Sequence, residues 1–185
     1  MSASTKRVYG PYKRDCDRRI LCDCEQDLGC AACKQQHPFP KKTILSCGQG
    51  FDAVFINPND PPITVASVIV DTRDIVKPTV GIQFSSVVQF LATFTSAEGR
   101  LIFQLLKACD NGNPLLLNTW VYEFAEVEGN PGDFDALRFS KSFNFNFCEF
   151  PACSGCCEYF VRVSIDNISL ATIFVNNNQI TALAQ

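Results

Sequence analysis

The chain has 185 residues, of which 46% are hydrophobic, enough for one domain with a sizeable core plus an appendage. Sixteen Lys/Arg against nineteen Asp/Glu leave a formal charge of −3, no electrostatic footprint for nucleic acid. No apolar run approaches the roughly 18 residues that span a bilayer, so no membrane partner is expected either.

Residues 1–42 lack both helical and strand periodicity, end in the breaker-rich QQHPFPKK, and predict a flexible N-terminal connector. They hold the stretch CDRRILCDCEQDLGCAAC, which packs Cys16, Cys22, Cys24, Cys30 and Cys33 into eighteen residues with no histidine among them. Nine Lys/Arg against five acids give this arm a net +4, so residues 43–185 carry −7. Without aromatic and basic residues interleaved, the arm is expected to lie against the acidic body of a neighbouring copy instead of nucleic acid. The opening MSASTKRVYG has no apolar signal region, which predicts synthesis in a reducing cytosol without the usual export route.

From Thr43 the texture changes, and residues 43–185 predict a single β-sandwich domain. Eight blocks rich in β-branched and aromatic residues alternate with turn clusters: FDAVFI, ITVASVIVDT, TVGIQFSSVVQFLATF, RLIFQLLKAC, LLLNTWVYEFA, ALRFSKSFNFNFC, CCEYFVRVSID and LATIFVNNNQITALA. DNGNP and GNPGD between them are strong turn signals. Period two is clearest where Leu137, Phe139, Phe143, Phe145 and Phe147 alternate with Arg138, Ser140, Ser142, Asn144 and Asn146. Lys141 falls in the phenylalanine phase, which predicts either a rim or a bulge there. Tyr159, Val161, Val163 and Ile165 repeat the pattern. No segment carries a 3.6-residue stripe, so no crossover helix supports a parallel sheet. The expected fold is all-β: an antiparallel two-sheet sandwich, most simply an eight-stranded jelly roll, with a flexible Cys-rich extension.

Catalysis finds no support in this pattern. His37 is the single histidine and sits in the arm between Gln36 and Pro38, with no orienting acid for a Cys-His pair. Nucleophile elbow, phosphate loop and H-E-x-x-H are all absent from the sequence. The acids Glu123, Glu126, Glu128, Asp133 and Asp135 lack the spacing of a calcium loop and predict a solvated turn. The chain is therefore expected to be no enzyme and to carry no cofactor.

What remains is the thiols. Eleven cysteines cannot all pair within one molecule, so at least one stays free, binds metal or crosses to another chain. Cys30-x-x-Cys33 and Cys153-x-x-Cys156 have zinc-knuckle spacing, which keeps a zinc-stabilised binding module as an alternative. Cys109 and Cys148 each close an apolar strand, where a buried thiol packs as a small hydrophobe. Adjacent Cys156 and Cys157 are badly placed to bond to each other and are expected to take two different partners. A second alternative is an adhesion or carbohydrate-binding sandwich, which would need Trp120 or Phe160 on a flat platform. Meanwhile the arm could reach at most about 140 Å, well past one domain. Sandwich edges offered to the next copy would give head-to-tail growth by strand addition.

The succession SCGQG, ITVASVIVDT, VGIQFSS, LIFQLLKACDNGNP, TWVYEF, FNFNFCEFPACSGCCEYFVRVSI and NNNQITALA resembles a family of uncharacterised Cys-containing proteins of spore-forming clostridia. A Cys-bearing connector ahead of an eight-stranded body also resembles the endospore appendage subunits, the Ena pilins. The resemblance implies jelly-roll subunits stacked by strand addition into a helical homopolymer, with connector cysteines bridging to subunits further along. Carried over, donors would come from Cys16, Cys22, Cys24, Cys30 and Cys33, and acceptors from Cys109, Cys148, Cys153, Cys156 and Cys157. It further implies a spore-surface location beside other spore-surface proteins. The protein would be made reduced in the mother-cell cytosol and oxidised when that cell lyses.

Overall fold

β-Branched and aromatic side chains pack well on a pleated surface, and from residue 43 onward they dominate each block between turns. The computed structural model describes residues 42–92, 96–110, 112–127, 137–150, 152 and 154–185. Ten strands run through them: β1 (Ile44–Cys47), β2 (Gln49–Gly50), β3 (Ala53–Phe55), β4 (Ile63–Asp71), β5 (Val80–Ala92), β6 (Ser96–Cys109), β7 (Leu115–Val127), β8 (Leu137–Glu149), β9 (Cys156–Ser169) and β10 (Ala171–Ala184). Every pairing is antiparallel, and no helix occurs among the described residues.

The strands form two five-stranded sheets. The first runs β1-β10-β5-β8, with β3 also on β10; the second runs β2-β4-β9-β6-β7. From β3 onward the chain changes sheet after β3, β4, β5, β7, β8 and β9, which is the winding of a jelly roll. All eight expected blocks are present, as β3 to β10.

The two strands that sequence reading left out come from TILSCGQG. Here the chain passes from the first sheet at β1 to the second at β2, then back to β10 as β3. A Cβ at Gly48 would run into the carbonyl oxygen of Ser67, and one at Gly50 into that of Asn178, so the crossing needs bare backbone. Asn178 fastens it by donating Nδ2 to the carbonyl of Phe51 at 2.7 Å. One flank of the sandwich is thereby stitched shut.

Period two puts the core between the sheets. β5 alternates buried and less buried side chains along its whole length, and Phe55, Phe84, Phe90, Phe103 and Tyr159 fill the centre. In β8 the register with β5 runs unbroken from Leu137 to Glu149, so no bulge accompanies Lys141. Lys141 keeps the inward phase yet is exposed, its Nζ 5.6 Å from the Phe139 ring centre: of the two expectations, the rim is the one that holds.

Candidate functional site

Register decides what the cysteines can do. β6 and β9 lie side by side with Cys109 opposite Cys157 and Lys107 opposite Tyr159. Cys109 and Cys157 form a disulfide across a Cα separation of 4.0 Å, and Cys157 is only 3% exposed. Cys156 is also disulfide-bonded, so the adjacent pair does take two different partners. A bonded sulfur can neither bind zinc as a thiolate nor accept a bridge without first exchanging. Among the described residues no group of three or more His, Cys, Asp or Glu side chains is placed to hold a metal ion.

Cys148 corrects an expectation. Read as a buried thiol closing an apolar strand, it is instead exposed and free. The reason is parity: Phe143, Phe145 and Phe147 point inward, so Asn144, Asn146 and Cys148 point outward. Cys47, which sequence reasoning passed over, is the other exposed free thiol among the described residues, outward beside Leu45 at the end of β1. Cys16, Cys22, Cys24, Cys30, Cys33, Cys153 and His37 lie outside the described residues.

Next to the internal disulfide, Lys107 Nζ meets Glu149 Oε1 at 2.7 Å, bridging the second sheet to the first. Tyr159 donates its hydroxyl to Glu149 Oε2 at 2.8 Å, and Lys107 lies 5.7 Å from the Tyr159 ring centre. A buried ammonium thus has a carboxylate that is itself hydrogen-bonded, the arrangement a desolvated charge requires.

The flank opposite the stitched one is different in kind. β7 and β8 are the last strands of their sheets, and both are thirteen residues long. Among the described residues nothing pairs with their outer edges. Between them runs an aromatic seam: Trp120 stacks on Phe145 at 3.8 Å, Tyr122 meets Phe143 edge-on at 5.8 Å, and Phe124 meets Phe139 at 5.5 Å. Burial in that seam pushes the Tyr122 phenol above its ordinary pKa. Because Trp120 is stacked inside the seam and Phe160 is 9% exposed, the two make no flat platform. Of the acidic set, Glu123 is bonded to Arg100 at 3.0 Å on the outer face of the second sheet. Glu128, Asp133 and Asp135 lie outside the described residues, as does the side chain of Glu126.

A family model described as "Domain of unknown function (DUF4489)" matches residues 41–185. No curated protein matches the chain. Among solved structures, the chain is similar to one titled "Structure of infectious bursal disease virus Gt strain", at 10% identity and a TM-score of 0.38 over 78% of this chain and 33% of that one. It is similar to the CBM22-1 xylan-binding domain from Paenibacillus barcinonensis Xyn10C at 13% identity and a TM-score of 0.29, covering 74% and 83% of the two chains. A lipoprotein from Bacteroides thetaiotaomicron follows at 10% identity and 0.30, covering 80% and 90%. The chain spans about a third of the length of the first two structures it matches.

Proposed function

We propose, for a chain that belongs to the family described as Domain of unknown function (DUF4489), a structural role: self-assembly by strand addition into a disulfide-cross-linked fibre or coat. One observation carries this reading. The sandwich has one flank stitched shut by β1 to β3 and one flank where, among the described residues, nothing pairs with the outer edges of the long strands β7 and β8. Bare edges are templates for pairing with another chain, and monomers normally cover them.

The open thiols add cross-linking. Cys47 and Cys148 are exposed, whereas Cys109 and Cys157 satisfy each other and drop out as acceptors. Among the described body residues the bridging set is therefore Cys47 and Cys148, and it is joined by Cys153 and by the connector's Cys16, Cys22, Cys24, Cys30 and Cys33. The basic connector and the acidic body favour contact between neighbours. The resemblance to Cys-containing proteins of spore-forming clostridia, and to Ena pilins, supplies the setting of a spore surface. Oxidation there follows mother-cell lysis.

The full chain, oxidised gently, is expected to give high-mass ladders on a non-reducing gel that collapse with reductant, and filaments by electron microscopy. A monomer under both conditions ends this reading.

A further inference from the structure

The outer face of the first sheet is unlike the rest of the surface. Antiparallel register lays it out in rows across the strands. One row reads Leu45, Leu183, Gly81, Cys148, and the next reads Cys47, Thr181, Gln83, Asn146. Five successive rows, out to Ser140 on β8, hold no charged residue. The outer face of the second sheet does the opposite: Arg100 there binds Glu123 and Asp166.

Charge says what fits the neutral face. Residues 43–185 carry −7, so two copies repel wherever carboxylates come face to face. The charge-free face is where two bodies meet without that cost, and depletion of charge marks interface cores. Its amides and hydroxyls both donate and accept, which makes it complementary to a copy of itself; a carboxylate face is not. The +4 arm, by contrast, is drawn to acidic surface. The three long strands β5, β8 and β10, with the short β1 and β3 continuing one side, offer about 750 Å² at the usual strand spacing and rise, close to the roughly 800 Å² each partner buries in a standard interface. Gly81 leaves a hollow in its row, and Leu45 and Leu183, 69% and 47% exposed, project beside it.

The two thiols left free among the described residues sit on opposite sides of this face, both near one end of it. Within one chain they are about 14 Å apart across the strands and about 7 Å along them. A disulfide spans at most about 6.8 Å between Cα atoms, so Cys47 and Cys148 of one chain cannot join. A two-fold axis lying between two facing sheets, perpendicular to the line joining the thiols, exchanges their positions. Cys47 of each copy then lies over Cys148 of the other.

We infer that the outer face of the first sheet is a symmetric contact between two copies of this chain, closed by two disulfides that each join Cys47 to Cys148. Each bridge forms by exchange with a small-molecule disulfide. One thiolate attacks it and releases one thiol; the facing thiolate attacks the mixed disulfide and releases the second. The contact goes beyond the fibre reading and rests on it only for the oxidising setting. Being two-fold, it closes after one partner, so strand addition at β7 and β8 would lengthen a fibre of paired subunits.

The test mixes isotopically light and heavy full-length protein, oxidises with glutathione disulfide, and maps the bridges without reduction. Peptides holding Cys47 are expected joined to peptides holding Cys148, with about half of the pairs mixed in isotope as random pairing of copies requires. Finding either cysteine bonded only to the connector cysteines, or only to its own counterpart, overturns the inference. A second arm uses the Cys47→Ser, Cys148→Ser variant under reductant, expected to sediment as a concentration-dependent dimer. Adding Gln83→Glu should weaken that dimer about tenfold or more by facing like charges. A variant that stays monomeric throughout, or a Gln83→Glu variant that dimerises as before, also overturns it. Fibres without the Cys47–Cys148 link sink this inference and leave the fibre reading standing; the link without fibres does the reverse.

Discussion

Lys107 is the one charged side chain buried among the described residues, and its surroundings set what it is worth. Its side chain is 7% exposed against 20% for Glu149, so both ends of the 2.7 Å pair have given up most of their water. Breaking such a pair from one side is costly because the other charge is left stranded; removing both charges together is far milder. Lys107→Met should destabilise the reduced monomer by about 3 kcal/mol, the low end for a buried pair since Glu149 keeps some solvent and the Tyr159 hydroxyl. Lys107→Met combined with Glu149→Gln should recover more than half of that loss, because Tyr159 can still donate to the amide oxygen. Urea midpoints of the three chains, at unchanged m-value, make the comparison. Equal losses in the single and double variants would mean the pair is a packing feature and nothing more.

At the scale of the strand, β8 tests whether period two is the organising rule. Phe143 lies 4.0 Å from Phe103 and 5.8 Å from Tyr122, whereas its neighbour Asn144 faces solvent. Phe143→Ala should therefore cost about 3–5 kcal/mol, a large aromatic lost from a packed site. Asn144→Ala, measured on reduced and dilute protein, should stay within about 0.5 kcal/mol. Comparable losses at both positions would contradict the alternation. The same parity points Cys148 outward, since it continues the phase of Asn144 and Asn146, but the sequence reading followed its place after an apolar run, the weaker signal, and buried it. Three other features were beyond reach of a linear reading. The Cys109–Cys157 bond depends on the register of β6 with β9, which shifts at Arg100/Leu101, and joins residues 48 apart. The crossing at β1 to β3 depends on which backbone oxygens approach Gly48 and Gly50, a fact of tertiary packing. Which flank stays open follows from that crossing, so it too appears only once the sheets are assembled.

For the molecule as a whole, the cysteines divide into two populations that should respond differently to reductant. Thiol–disulfide exchange needs an attacking thiolate to reach a sulfur. Bridges formed through Cys47 and Cys148 would sit on the surface, whereas Cys157 is 3% exposed beneath the second sheet's end and its partner Cys109 is half-buried, so the internal bond is less open to attack. Closing the loop between residues 48 apart also stabilises the fold, by about 4 kcal/mol on the chain-entropy account. Brief reduction of oxidised full-length protein, followed by alkylation, should therefore collapse any ladder to monomers whose Cys109 and Cys157 remain unmodified. Those monomers should melt where the untreated subunit does. Reduction in denaturant, then refolding, should alkylate both residues and lower Tm by about 10 °C, as a loss of that size implies for a chain of this length. Should Cys109 and Cys157 alkylate in step with the ladder's collapse, the internal bond is not shielded. Assembly and subunit stability would then answer to one redox signal, whereas the burial of Cys157 argues that they answer to two.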